Sequence, residues 1–166
     1  IALNFFDTKT SQYTSFPYYF NISPDKELTF TPSINYGGGV DSSQRFLFDY
    51  NQILSGGELS LDFTFDSNFE RNESDKWLKD ASLITNYRKN LNEKFKLNIN
   101  SALQTSQNYI QITNPNDDLS YTNSLSTNIT FEGYNLRKID DYFKFNMNFY
   151  QTSQKNEDNK TIPTVL

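Results

Sequence analysis

The chain contains no cysteine and no histidine among its 166 residues. Without cysteine it can form neither disulfide bonds nor thiolate metal sites, and without histidine it lacks the commonest general base and metal ligand. No apolar run is long enough for a transmembrane helix, and the mean hydropathy is −0.71. The net charge is −5, and lysine and arginine are scattered rather than clustered. This distribution argues against nucleic acid as a partner.

Aromatic residues make up 16% of the chain and occur beside abundant Asn, Ser and Thr. Disordered chains lack such an aromatic content, whereas a pleated sheet with one apolar and one hydrated face uses both groups. Apolar and polar residues alternate along the chain and predict an antiparallel meander of about eight long strands. We expect these strands near residues 16–23, 27–36, 44–54, 58–66, 76–89, 95–103, 121–131 and 143–149, followed by a truncated ninth. A short extended piece is expected at 109–112.

The first two predicted strands form a hairpin with a proline in each arm. A turn centred on Pro24 and Asp25 places Pro17 directly opposite Pro32, whereas a turn one residue later offsets the two prolines by two positions. Proline lacks the N–H that a β-ladder needs, so these arms are expected at a sheet edge or a weak seam. On physical grounds alone, prolines that merely blunt an edge are an equal alternative.

This hairpin resembles the start of the barrel domain in LptD, the family of LPS-assembly proteins of Gram-negative outer membranes. The family has a Pro-Tyr-Tyr-aromatic-Asn-Ile-x-Pro segment, a short turn and a Thr-x-Thr-Pro arm. The matching positions are Pro17, Tyr18, Tyr19, Phe20, Asn21, Ile22 and Pro24, followed by Thr29, Thr31 and Pro32. The resemblance is strongest over residues 16–66, and residues 162–166 resemble the family's entry into a later strand.

The resemblance implies an all-β chain that is a fragment of a large transmembrane β-barrel in the outer membrane of a Gram-negative cell. Residues 1–15 would be a connector from a preceding periplasmic domain, and residues 16–166 the first strands of an incomplete barrel. Its function would be to transport lipopolysaccharide and insert it into the outer leaflet, without enzymatic activity or a cofactor. The implied partners are lipopolysaccharide, the plug lipoprotein LptE, the bridge protein LptA and outer-membrane lipids. Pro17, Pro24 and Pro32 would form a lateral gate.

In such a barrel, Leu61, Phe63, Phe145 and Phe149 are expected to face lipid, and Asp62, Thr64, Lys144 and Asn146 to face the lumen. The charged residues Asp49, Asp62, Lys96 and Lys144 are candidate contacts for the saccharide and phosphate groups of lipopolysaccharide; alternatively, they only hydrate the lumen. Because the first strand would enter from the periplasm, the short turns would face the cell exterior and the long loop 107–119 would lie on the periplasmic side. This is the reverse of the usual arrangement, in which the short turns face the periplasm.

Two groups of acidic residues are candidate sites of chemistry. The acidic residues between 66 and 75 lack the spacing of a calcium loop. If they lay on a strand, the adjacent residues of the pairs Asp117–Asp118 and Asp140–Asp141 would point to opposite sides and could not share a proton. The sequence therefore supplies no catalytic residue and no metal ligand set. The alternative functions are a passive porin or other outer-membrane barrel, and a soluble β-sandwich that binds a ligand.

Overall fold

A computed structural model describes residues 4–8, 11–36, 43–68, 78–106, 109–113, 118–137, 140–152 and 164–165. Over these residues the chain forms one antiparallel sheet. The strands are β1 (Asn4–Thr8), β2 (Ser11–Ser15), β3 (Tyr18–Ser23), β4 (Lys26–Tyr36), β5 (Ser43–Leu54), β6 (Gly57–Asn68), β7 (Leu78–Asn90), β8 (Phe95–Gln104), β9 (Ser124–Tyr134), β10 (Tyr142–Thr152) and β11 (Thr164–Val165). Between β8 and β9 lie a short helix, α1 (Tyr109–Thr113), and a 3-10 turn, Asp118–Tyr121.

The sheet is a meander in which each strand from β3 to β10 pairs with the next one along the chain. The strands β4 to β10 are 10 to 13 residues long, longer than the usual five or six. The predicted strands correspond to β3–β10, and β11 takes the place of the ninth. In the part of the chain that the structure describes, β1 and β11 do not pair, so the sheet is open and not closed into a barrel.

Two short strands precede the predicted hairpin, in the segment interpreted as a connector. The strand β1 pairs with β2, and β2 pairs with the far end of β4, so this segment belongs to the same sheet. The strands β2 and β3 lie end to end along β4, with the break between them at Phe16 and Pro17. This pairing does not test whether the segment connects to a preceding domain, which stays a prediction.

The strand register assigns the side chains to two faces, since successive residues point to opposite sides of a sheet. We call one the apolar face; it carries Leu28, Phe30, Phe46, Phe48, Tyr50, Leu59, Leu61, Phe63, Phe65, Leu83, Ile99, Ile129, Phe131, Phe143, Phe145, Met147 and Phe149. We call the other the polar face; it carries Glu27, Thr29, Arg45, Asp49, Asn51, Asp62, Thr64, Asp66, Asn86, Lys96, Asn98, Asn128, Thr130, Glu132, Lys144, Asn146 and Asn148. The predicted separation of Leu61, Phe63, Phe145 and Phe149 from Asp62, Thr64, Lys144 and Asn146 is confirmed as a separation of faces.

Phenylalanine rings form a continuous patch on the apolar face across β4, β5 and β6. The ring centroids of Phe30 and Phe48 are 4.8 Å apart, and those of Phe46 and Phe65 are 5.0 Å apart. Such spacings are typical of favourable aromatic pairs. Among the described residues, no second layer covers this face: Phe63 in the patch is 37% exposed, and Phe145 on β10 is 39% exposed. The apolar face of the described sheet is therefore an open surface.

The segment 109–112, expected to be extended, is helical, so this prediction was wrong. Tyr109 and Ile110 are adjacent and both buried, which a strand with one covered face does not allow. A helix turns both side chains toward the sheet, and the Thr113 hydroxyl donates to the Tyr109 carbonyl at 2.9 Å. The strand expected from 121 begins instead at Ser124, because the preceding residues form the 3-10 turn. Within the described ranges, no helix is both long and apolar enough to span a membrane.

Candidate functional site on the polar face

The hairpin turn is centred on Pro24 and Asp25, the first of the two expected arrangements. Ser23 pairs with Lys26 across the turn. The Ser23 hydroxyl donates to Asp25 Oδ1 at 2.6 Å. This hydrogen bond lowers the pKa of the Asp25 carboxyl, since it favours the charged form.

The expected pairing of Pro17 with Pro32 was wrong, because the ladder contains an irregularity that simple counting omits. The register between β3 and β4 shifts between Asn21 and Ser23. Beyond that shift, Ser15 pairs with Ser33 and Tyr18 with Phe30, so counting between these pairs places Phe16 opposite Pro32. A β-bulge of this kind adds one residue to one strand and displaces all later pairs by one.

The two prolines consequently remove donors from different sides of the strand pair. The Phe16 amide donates to the Pro32 carbonyl at 3.0 Å, so Phe16 and Pro32 form a hydrogen-bonding pair in which Pro32 cannot return a bond. Since backbone N–H groups alternate sides along an antiparallel strand, the missing donor of Pro17 faces away from β4. Only Pro32 weakens this ladder directly.

The four charged candidates lie on the polar face but form two separate pairs. Asp49 and Asp62 are directly opposite each other on β5 and β6, and Asn51 Nδ2 donates to Asp49 Oδ1 at 2.9 Å. Lys96 and Lys144 lie on β8 and β10, each opposite Glu132 of β9. Asp62 is aligned across the sheet with Ile84 of β7 and then with Ala102 of β8, and Ala102 is six residues from Lys96 along β8. At about 3.3 Å per residue this places the two pairs roughly 20 Å apart along the strands.

The lysine pair belongs to a cluster that the sequence did not reveal. Glu132 accepts hydrogen bonds from the hydroxyl groups of Tyr134 at 2.7 Å and Tyr142 at 3.2 Å, and Lys144 Nζ lies 3.4 Å from Glu132 Oε1. Lys96 Nζ lies 5.0 Å from the ring centroid of Tyr134, a cation–π distance. We call Lys96, Glu132, Tyr134, Tyr142 and Lys144 the lysine–tyrosine cluster.

An acidic cleft of about 360 Å³ lies beside the Pro24 turn. Its lining includes Glu27, Asn51 and Glu58. The Tyr19 hydroxyl donates to Glu27 at 2.8 Å. The β3–β6 half of the polar face is therefore acidic, whereas the β8–β10 half carries the two lysines.

At the opposite end of the strands, α1 folds over the polar face. Arg45 makes two hydrogen bonds to the Asp66 carboxylate, at 2.8 Å from Nε and 3.0 Å from a terminal nitrogen. The Tyr109 hydroxyl donates to the same carboxylate at 2.8 Å. The Arg45 guanidinium carbon lies 5.9 Å from the Tyr109 ring centroid. Burial, followed by the nearby Asp66 charge, raises the pKa of Tyr109, which therefore remains a neutral donor.

Two apolar residues on the polar face form the surface on which this segment packs. Ile84 and Ala102 are paired on β7 and β8. Ala102 forms a buried cluster with Ile110 and Leu125, and Ile84 and Leu119 pack against this cluster. Gln104 Oε1 accepts a hydrogen bond of 3.0 Å from the Ile110 amide. We call residues 109–113 and 118–121 the cap. Apolar residues on an otherwise polar face indicate that something packs there, so Ile84 and Ala102 are the sequence signal for the cap.

Comparison with known proteins gives no relative: no family model, no curated protein and no solved structure matches the chain. In the described part of the chain, no group of three or more acidic residues is placed to hold a metal ion. Most of the acidic segment 66–75 lies outside the described residues, as does Asp117.

Proposed function

We propose that this chain is part of an LptD-like outer-membrane barrel that delivers lipopolysaccharide to the outer leaflet of a Gram-negative cell. The observation that carries the proposal is the division of one long-stranded sheet into an exposed phenylalanine face and a hydrated face. Strands of 9–11 residues suffice to cross a bilayer when tilted. Acyl chains suit the apolar face, and water with saccharide suits the polar one.

The hairpin of β3 and β4 supplies the second argument, together with its resemblance to the family. In this proposal, Pro17, Pro24 and Pro32 belong to a lateral seam through which the acyl chains leave. Pro32 on β4 cannot donate a hydrogen bond to Phe16, which lies between β2 and β3. Pro17 lacks a donor on the side of its strand that faces away from β4. A strand held by fewer bonds opens at a lower free-energy cost.

The remaining partners follow from the family resemblance. LptE would occupy the lumen as a plug and LptA would deliver lipopolysaccharide through a periplasmic bridge. The proposal assigns no chemical reaction to the chain, since its role is to bind and guide a lipid. Asp49, Asp62, Lys96 and Lys144 would line the hydrated path.

Photo-crosslinking in living cells tests this function. A photoreactive residue is placed in the full-length protein at position 62 on the polar face or at position 63 on the apolar face. We expect position 62 to crosslink to lipopolysaccharide and position 63 to crosslink to membrane lipid. A passive porin predicts no lipopolysaccharide adduct at position 62. A soluble β-sandwich predicts no lipid adduct at position 63, because that face would be covered by protein.

A further inference from the structure

The lysine–tyrosine cluster has the geometry of a small anion site. Lys96 and Lys144 flank Glu132 on three neighbouring strands. Neighbouring strands are about 4.8 Å apart, so the two lysine Cα atoms are roughly 10 Å apart. Two lysine side chains of this spacing reach the same point above the middle strand, and each offers three donors on a mobile stem.

Glu132 does not neutralise both lysines. Its two carboxylate oxygens are occupied by Tyr134, Tyr142 and Lys144. Among the described residues, Lys96 has no carboxylate oxygen within 4.0 Å. Two lysines and one glutamate leave the cluster with a net charge of +1. The uncompensated charge therefore lies at Lys96.

The cluster also offers an accessible aromatic surface. Tyr142 is 53% exposed, and its ring lies 5.1 Å from that of Tyr134 at an angle of 45°. The Lys144 side chain is 44% exposed. A sugar ring has an apolar C–H face that packs on such an aromatic ring, while its substituents reach the charged groups beside it.

Polar rows continue from the cluster along the same three strands. The next row is Asn98, Thr130 and Asn146, and the row after it is Asn100, Asn128 and Asn148. The Thr130 hydroxyl donates to Asn146 at 2.9 Å, and Asn128 donates to Asn148. These amide groups suit hydroxyl-rich ligands, because each amide both donates and accepts hydrogen bonds.

We propose that the lysine–tyrosine cluster binds a sugar that carries an anionic group, with the sugar ring on Tyr142 and the anion between Lys96 and Lys144. The acidic half of the face, around Asp49 and Asp62, repels such a ligand and leaves this cluster as its favoured position. The identification of that sugar as part of lipopolysaccharide rests on the proposed function. The chemistry itself is that of any phosphorylated or carboxylated sugar.

Calorimetric titration of the purified full-length protein in detergent micelles tests the site. The probes are glucose 6-phosphate, galacturonic acid, glucose and inorganic phosphate. We expect at least one of the two anionic sugars to bind more tightly than glucose and than phosphate. The stronger of the two identifies the anion as phosphate or carboxylate.

Charge variants distinguish binding at the lysine–tyrosine cluster from a general effect of the protein's net charge. Lys96→Gln combined with Lys144→Gln is expected to weaken binding of the anionic sugar by about tenfold or more, the equivalent of one charge-assisted hydrogen bond. Lys26→Gln combined with Lys89→Gln removes the same charge elsewhere and should leave the affinity unchanged. Lys96→Arg with Lys144→Arg should retain binding, and Tyr142→Ser should reduce it more than Tyr142→Phe.

Three results would overturn the site: no binding of any probe, equal affinity for glucose and both anionic sugars, or unchanged affinity in the Lys96→Gln/Lys144→Gln variant. Failure of the site is distinguishable from failure of the proposed function. If lipopolysaccharide crosslinks at position 62 but the sugars do not bind, the site is wrong and the function stands. If the sugars bind at the cluster but no lipopolysaccharide adduct forms, the site stands and the function is wrong.

Discussion

The backbone amide of Phe16 donates a 3.0 Å hydrogen bond to the carbonyl oxygen of Pro32. In an antiparallel sheet the two residues of such a pair normally exchange two bonds, and here proline can return none. The pair lies at the break between β2 and β3. Pro32 thus removes one of the two backbone hydrogen bonds of this pair, at the point where the strand beside β4 is already interrupted.

Pro32→Ala restores the missing donor and is expected to stabilise this pair by about 0.5–1.5 kcal/mol, the net value of one hydrogen bond. Hydrogen exchange of the Phe16 amide should slow accordingly. Pro17→Ala is the matched control, since its restored N–H points away from β4 and should leave Phe16 exchange unchanged. In cells, Pro32→Ala should reduce delivery of lipopolysaccharide and raise sensitivity to large hydrophobic antibiotics. Equal exchange rates in both variants would contradict the assignment of the two donors.

The two faces were readable from the sequence, because a period of two residues is a local property of each strand. The Phe16–Pro32 pairing was not, since one bulge near Ile22 changes every later pair. The cap packs near two apolar residues of the polar face, Ile84 and Ala102, but its hydrogen bond to Asp66 comes from Tyr109, 43 residues away, and no local pattern encodes that contact. The charged candidates were placed correctly on one face, but their grouping by Glu132 required the strand order.

Tyr109→Phe removes the hydroxyl that ties the cap to Asp66 and is expected to loosen the cap. A hydrogen bond to a charged group contributes about 1.5–3 kcal/mol, so exchange of the Ile110 amide should speed up by roughly tenfold or more. Tyr50→Phe serves as the control, because its hydroxyl donates to Gln52 at 3.0 Å, away from the cap. Unaltered Ile110 exchange in Tyr109→Phe would show that apolar packing alone holds the cap.

The cap should also respond to alkaline pH. The pKa of Tyr109 is raised by burial and by Asp66, so the stabilisation from its neutral hydroxyl is fully present below the ordinary tyrosine pKa near 10. It is lost only as the pH rises through the higher pKa of the folded state. The difference in tyrosinate absorbance between the wild type and Tyr109→Phe should therefore show Tyr109 ionising well above pH 10. Ionisation near pH 10 would mean that the hydroxyl is solvated.

A charge on the apolar face should destabilise the protein in a bilayer. Phe63→Arg is expected to lower the free energy of unfolding by about 2–4 kcal/mol if the site lies near the membrane midplane, and by less near an interface. Asp62→Arg places the same charge on the neighbouring polar-face position and should have a much smaller effect. Denaturant unfolding of the full-length protein in lipid vesicles measures both. An equal loss of unfolding free energy in the two variants would contradict the assignment of faces, and a larger loss in Asp62→Arg would reverse it.

The most direct measurement of the proposed function follows newly made lipopolysaccharide in cells from which the full-length protein is depleted. Pulse-labelled lipopolysaccharide is assayed at the cell surface by a modification that acts only on the outer leaflet. We predict that the labelled lipid is synthesised at the normal rate but fails to reach the surface, and that re-expression restores its arrival. Normal arrival in depleted cells would contradict the account, whatever the strength of the resemblance over residues 16–66.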